Sequence, residues 1–89
     1  MKKAEWTVYI LECGDSTLYT GITNDIEKRI KAHNEGKGAK YTRSHLPVRL
    51  VYKEECEDKS SALKRELAIK ALTREEKLAL ISEGNKKQM

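Results

Sequence analysis

Phenylalanine is absent from the sequence, and there is one proline among five glycines. With so little of the residues that break or loosen chains, no stretch reads as a linker, a repeat or a low-complexity segment. The apolar residues recur periodically, which excludes wholesale disorder. Long hydrophobic runs are missing too. Nothing approaches the ~18 consecutive apolar residues of a membrane span. The opening MKKAEW has no apolar stretch behind its lysines, which argues against a secretory signal. The expected compartment is therefore the cytoplasm, with no membrane partner. Cysteine is scarce: Cys13 and Cys56 lie 43 residues apart with no Cys-x-x-Cys pair, so a zinc ribbon has no support. Both are expected as free thiols, packed as small apolar groups at strand ends.

Acidic residues are nearly missing from one stretch. Between Lys28 and Lys53 stand eight Lys or Arg and a single acid, Glu35, a local charge of +7 in a chain whose total is +4. Such a segment on a near-balanced remainder points either to a phosphate-bearing partner or to an ordinary solvated surface. The 89 residues suffice for one domain. With 38% hydrophobic against 36% charged residues, its core must be thin.

Trp6-Thr7-Val8-Tyr9-Ile10-Leu11 is rich in β-branched and aromatic residues and predicts a strand. Gly14-Asp15-Ser16 punctuates it, and Leu18 to Ile22 predicts a second strand, giving a hairpin. Asn24 or Asp25 offers an N-cap for a helix with Ile26 and Ile30 one turn apart, ended by Gly36. Lys37 to His45 reads as a polar, basic loop. Pro47 opens a third strand, Val48 to Tyr52. Asp58 or Ser60 caps a helix whose apolar stripe is Ala62, Leu63, Leu67 and Ile69. Thr73-Arg74-Glu75-Glu76 is a capping box for a last helix with apolar Leu78, Leu80 and Ile81, stopped by Gly84. The expectation is one α+β (α/β) domain over residues 1–84, a three-stranded antiparallel sheet flanked by helices in the order ββαβαα. Residues 85–89 are expected as a frayed tail.

Several residues invite a chemical reading beside a plain one. An odd number of loop residues, as in Gly14-Asp15-Ser16, puts Tyr9 and Tyr19 on one sheet face; a two-residue loop puts them on opposite faces. Two such phenols form either a site or a rim of half-buried packing. Arg29 and His33 stand four apart and share a helix face. Arg grips phosphate through a planar fork, and His donates to an oxyanion or shuttles a proton; otherwise both are surface groups. Glu66 lies on or near an apolar stripe, where a carboxylate needs a partner. It either holds a Mg²⁺ that keeps most of its waters or forms a salt bridge, with Arg29 as one candidate. No Ser-His-Asp or Cys-His arrangement is convincing, since His45 and Cys13 stand too isolated for nucleophilic catalysis, and there is no Gly-rich phosphate loop.

Val8-Tyr9-Ile10, Tyr19-Thr20-Gly21, Arg29, His33 and Glu66 together resemble the GIY-YIG nuclease superfamily, over about residues 6 to 82. The likeness is closest to the small stand-alone bacterial proteins of that superfamily. It implies a metal-dependent endonuclease that hydrolyses DNA phosphodiester bonds in repair or recombination. The alternatives are a nucleic-acid-binding module with weak or no catalysis, or a subunit of a larger complex. By the resemblance, Tyr19 matches the general base, Tyr9 positions the water and supports Tyr19, and Arg29 neutralises the scissile phosphate. His33 matches a proton-relaying His. Glu66 matches the sole protein ligand of Mg²⁺ or Mn²⁺. A phenol's reference pKa of ~10 means that Tyr19 needs cationic neighbours to act as a base. Lys28, Lys37, Lys40, Tyr41 and Arg43 are the expected nucleic-acid contacts, Tyr41 either stacking on a base or plugging the loop onto the sheet. Several members carry an Asn after the metal Glu; here the first is Asn85, and Lys70 holds a comparable helix position. The implied substrate is DNA, branched or single-stranded, with RNA left open. A single module covers only ~600–1,000 Å² of nucleic acid, so a protein partner supplying specificity is also expected.

Overall fold

The computed structural model describes residues 5–87, and the side chains of residues 5–84. Its elements are β1 (Trp6–Glu12), β2 (Leu18–Thr23), α1 (Ile26–Asn34), α2 (Lys40–Arg43), β3 (Arg49–Cys56), α3 (Lys59–Lys70) and α4 (Arg74–Lys87). The sheet is antiparallel, in the order β2-β1-β3. The expected α+β arrangement and its ββαβαα order are therefore present, with α2 added inside the basic loop.

β1 is central and covered on both faces, which explains its unbroken apolar run. Val8, Ile10, Ala62 and Ile69 form one buried cluster, with Leu80 and Ile81 against it, so α3 and α4 cover that face. Tyr9, Leu11, Cys13 and Val48 form the other, with Ile26 and Ile30 of α1 packed on it. No described helix is long and apolar enough to cross a membrane. Cys13 and Cys56 are free thiols at the ends of β1 and β3.

The hairpin has the odd loop. Cys13 N–H donates to Thr17 C=O at 2.8 Å, which leaves Gly14-Asp15-Ser16 between the closing pair. Ser16 takes the left-handed conformation, φ 69°, as the last residue of a three-residue hairpin loop does. Asp25 caps α1 by accepting from Lys28 N–H at 3.2 Å. Asp58 caps α3 through Ser61 N–H at 2.8 Å. Thr73 and Glu76 close the capping box in both directions, at 2.9 and 3.1 Å.

Four expectations need correction. The loop from Lys37 to His45 contains a helical turn, α2, held by Arg43 N–H to Ala39 C=O at 3.1 Å. β3 runs four residues past Tyr52, because Lys53 to Cys56 pair with Tyr9 to Trp6; their polarity suits the edge of a sheet. On α3 the stripe is narrower than four residues: Ala62 and Ile69 are buried, whereas Leu63 and Leu67 are 42% and 67% exposed. Between them, Arg65 and Glu66 occupy the half-buried turn. Arg65 meets Glu54 of β3 at 3.0 Å. Gly84 does not end α4, which continues to Lys87. The expected tail thus begins inside a helix, and residues 88 and 89 lie outside the described residues. A Cβ at Gly84 would stand 2.9 Å from two Tyr52 ring carbons, so this glycine serves a close approach between α4 and β3.

Candidate active site

The face of the sheet under α1 carries two phenols. Tyr9 pairs with Gly21 and Tyr19 with Leu11. Opposed residues share a face, and Tyr9 and Leu11 are two apart on one strand, so both tyrosines point the same way. Their ring centroids lie 6.4 Å apart. Gly21 makes the room: a Cβ there would stand 2.6 Å from the Tyr9 hydroxyl and 3.2 Å from the Tyr19 ring. Tyr9 is fully buried, and Tyr19 above it is half-buried.

Helix α1 brings Arg29 and His33 to this pair. Tyr9 Oη lies 3.1 Å from His33 Nε2. His33 Nδ1 lies 2.7 Å from Thr42 Oγ1, and Thr42 Oγ1 donates its only proton to Ala39 C=O at 2.9 Å. Donor counting fixes the rest of the chain. Thr42 must accept from His33 Nδ1–H. The neutral imidazole then has a lone pair on Nε2, and the Tyr9 hydroxyl donates to it. Electrostatics agree with this polarity. Burial pushes the Tyr9 phenol above its ordinary value, with the Arg29 guanidinium working the other way and the charges of Tyr19 and Glu66 adding to the rise. Burial, helped by the Arg29 charge, pulls His33 below the usual imidazole value. Both groups are thus held neutral. Gly38 closes over the ring, since any side chain there would overlap His33.

Arg29 is half-buried, and its Nε is a buried donor with no hydrogen-bond partner among the described residues. Arg29 also lines a shallow cleft of about 230 Å³ with Thr23, Asn24, Asp25 and Lys28. An orphaned buried donor on a permanent cation calls for an anionic acceptor.

Glu66 reaches this neighbourhood from α3, close enough for its charge to act on Tyr9. Its ion-pair partner is Lys70, one turn on, at 3.4 Å, with the Glu66 side chain 15% exposed. A salt bridge therefore exists, though not with Arg29. Among the described residues there is no group of three or more His, Cys, Asp or Glu able to hold a metal ion. A single carboxylate fits only a hard cation that retains waters and takes further oxygens from a substrate phosphate. Glu66 suits that mode and no closed metal cage.

The remaining expected residues are distributed around this centre. Lys28 is exposed on α1 beside Arg29; Lys37 is exposed in the loop after α1; Lys40 and Arg43 are exposed on α2. Tyr41 of α2 is 41% exposed. One of its faces is covered by His45, stacked at 4.2 Å, and its ring runs nearly parallel to Tyr19 at 6.3 Å. His45 is itself tied to the hairpin loop, its Nε2 3.4 Å from Asp15. The Asp15 carboxyl is held low first by the Thr17 hydroxyl, and His45 adds to this. Sequence reasoning missed Thr42, which no periodicity marks, and Gly38, whose neighbours made it look like ordinary loop.

Comparisons with known proteins give the family. The family described as the GIY-YIG catalytic domain matches residues 5–79. A UPF0213 protein of Clostridium perfringens is 60% identical over 81 residues, 91% of this chain and 87% of that one. A UPF0213 protein of Staphylococcus saprophyticus is 58% identical over 77 residues, 86% and 94% of the two chains. Among solved structures, the solution structure of a UPF0213 protein of Bacillus halodurans matches with a TM-score of 0.57 at 48% identity, over 86% of this chain and 82% of that one. An E. faecalis protein matches with the same TM-score at 39% identity, over 91% and 86%. Matched over most of its length and sharing more than half its residues with such relatives, the chain belongs to the GIY-YIG family of catalytic domains.

Proposed function

We propose that this domain is a divalent-metal-dependent endonuclease that hydrolyses DNA phosphodiester bonds with little sequence preference, in repair or recombination. The observation that carries the reading is the unpartnered, buried Arg29 Nε beside two phenols and a neutral histidine. A phosphate oxygen is the acceptor that this donor lacks.

Each residue then has a role. Arg29 binds the scissile phosphate and stabilises the charge that grows on it. Tyr19, the more accessible phenol, faces the attacking water and takes its proton as general base. Tyr9 is too buried to touch that water. It supports Tyr19 from below and holds its own proton on His33, so its role is positioning. His33 fixes the phenol layer, and its Nε2 lone pair can receive a proton from Tyr9. Lys28, Lys37, Lys40 and Arg43 provide long-range attraction and backbone contacts, and Tyr41 flanks the strand. Glu66 is the residue that would hold Mg²⁺ or Mn²⁺, in place of its ion pair with Lys70. The bound cation would share with Arg29 the stabilisation of the pentavalent phosphate.

The test is cleavage of labelled branched, single-stranded and duplex DNA with Mg²⁺ or Mn²⁺. Tyr19→Phe, Arg29→Ala and Glu66→Ala are each expected to lower the rate by at least two orders of magnitude, on the scale of a lost acid–base or charge-stabilising group. Glu66→Ala is expected not to weaken DNA binding. Cleavage by Glu66→Ala at the wild-type rate under saturating metal would sink the single-carboxylate mechanism. If wild type binds these DNAs but cuts none of them, the domain is a binding module.

A further inference from the structure

A second cleft of about 230 Å³ lies on the other side of Tyr19, between the β2 edge and the α3–α4 hairpin. Its walls are Leu18, Tyr19 and Thr20 of β2, Tyr41 of α2, Lys70 of α3 and Lys77 of α4. Neither lysine belongs to the basic segment. Lys77 is half-buried, and no carboxylate lies within ion-pair distance of it among the described residues. Its neighbour Glu76 is turned back onto the helix start, accepting from Thr73 N–H at 2.9 Å. An ammonium without a counter-ion, on a half-buried side chain that lines a concave site, favours an anion. Lys70 does have a partner, but its 3.4 Å contact with Glu66 is long for a charge-assisted hydrogen bond. Its side chain is half exposed, and surface pairs of this spacing are weak. The phenol oxygens of Tyr19 and Tyr41 have no hydrogen-bond partner among the described residues. β2 is an edge strand, so alternate backbone N–H groups point away from β1.

We infer that this cleft is a second phosphate subsite, in which Lys77 and Lys70 bind a backbone phosphate of the nucleic-acid strand beside the scissile one. Lys70 is handed over from Glu66 to that phosphate when the strand binds. The inference rests on the nucleic-acid reading of the adjacent site. It extends the basic segment, which reaches the cleft at Tyr41, onto the α3–α4 side of Tyr19. It also gives Lys70 a purpose: one ammonium guards Glu66 in the free protein and counts toward strand affinity in the complex.

The test is fluorescence anisotropy with a fluorescein-labelled single-stranded 12-mer, without divalent metal, across a salt series. Lys77→Gln is expected to reduce the slope of log K against log salt by about 0.7 to 1, the signature of one lost phosphate contact. The control Lys64→Gln, at an exposed position of α3, is expected to leave the slope unchanged. Glu66→Gln is expected to tighten binding, and Lys70→Gln in that background to remove the gain. If Lys77→Gln leaves the slope intact while Lys40→Gln lowers it, the subsite is wrong and the nucleic-acid reading stands. A Glu66→Gln gain that persists without Lys70 overturns the handover. If wild type fails to bind the 12-mer even at low salt, the nucleic-acid reading fails and the subsite with it.

Discussion

His33 is a fully buried imidazole whose two nitrogens have opposite jobs. The Thr42 hydroxyl imposes that division, because its own proton is committed to Ala39. Long-range ¹⁵N correlation spectra are therefore expected to find His33 protonated at Nδ1 near neutral pH. Thr42→Val removes the acceptor of Nδ1–H, so it should weaken that preference and cost about 1–3 kcal/mol of stability. A wild-type ring protonated at Nε2 would reverse the direction of the whole chain. Stability should also depend on pH through the same ring. The folded-state value is depressed below the unfolded 6.5, so above pH 6.5 both states are neutral and the full stability is present. As pH falls below 6.5 the unfolded state takes up a proton that the folded state resists, and stability drops with a slope of up to about 1.4 kcal/mol per pH unit. Urea melts between pH 7 and 5 should detect this loss, and His33→Gln should flatten it. Much of this scale was legible in advance. The i, i+4 spacing of Arg29 and His33 and the odd hairpin loop both followed from counting residues. Thr42 was not legible, because it meets His33 through a turn whose shape depends on Gly38 lying against the ring, and no periodicity encodes that.

Helix α3 departs from a simple amphipathic helix at its middle turn, where Arg65 and Glu66 stand between the buried Ala62 and Ile69. Arg65 is accounted for by Glu54, and Glu66 is the carboxylate to which the proposed mechanism assigns the metal. On that proposal, its position is a local rule broken for function. The exposure of Leu63 and Leu67 is the other side of that shift. Leu67→Lys is accordingly expected to change the denaturation midpoint little, within about 0.5 kcal/mol. Gly84→Ala tests α4. Helix propensity favours Ala by about 1 kcal/mol, but the new methyl would meet the Tyr52 ring at 2.9 Å. Overpacking of this kind costs about 1–3 kcal/mol, so thermal melts should reveal a net loss. A variant as stable as wild type would mean that Tyr52 swings aside freely. Helix starts were legible here because Asp25, Asp58 and the Thr73–Glu76 pair carry their own capping chemistry. The far half of β3 was not, since Lys53-Glu54-Glu55 resembles a loop until β1 is there to pair with it. The end of α4 was misread because a glycine required by a neighbouring ring looks, in sequence, like a glycine that stops a helix.

The whole molecule measures 38 × 27 × 26 Å, about the length of one turn of duplex DNA. A body of this size makes a handful of phosphate contacts, and the salt dependence of its affinity is set by their number. On duplex DNA each contact contributes roughly −0.9 to the slope of log K against log salt, and three to five contacts are expected from the basic segment, on the order of a single module's footprint. Charge reversal at Lys37, Lys40 and Arg43 should flatten that slope, and reversal at Lys86 and Lys87 should not. Equal effects from both sets would mean that net charge, rather than the surface around the tyrosines, drives binding. The strand order has a further consequence, for the time course of folding. The central strand is synthesised before both of its partners, and its hairpin partner follows after a three-residue loop. Its second partner, β3, arrives only after α1 and α2 have been made. Closing that long-range pairing is entropically slow. Until it happens, the hydrophobic run Val8–Leu11 has an open edge of the kind that invites pairing with other chains. Variants that slow the docking of β3 should therefore aggregate during refolding at protein concentrations that the wild type tolerates, even where their final stability is unchanged.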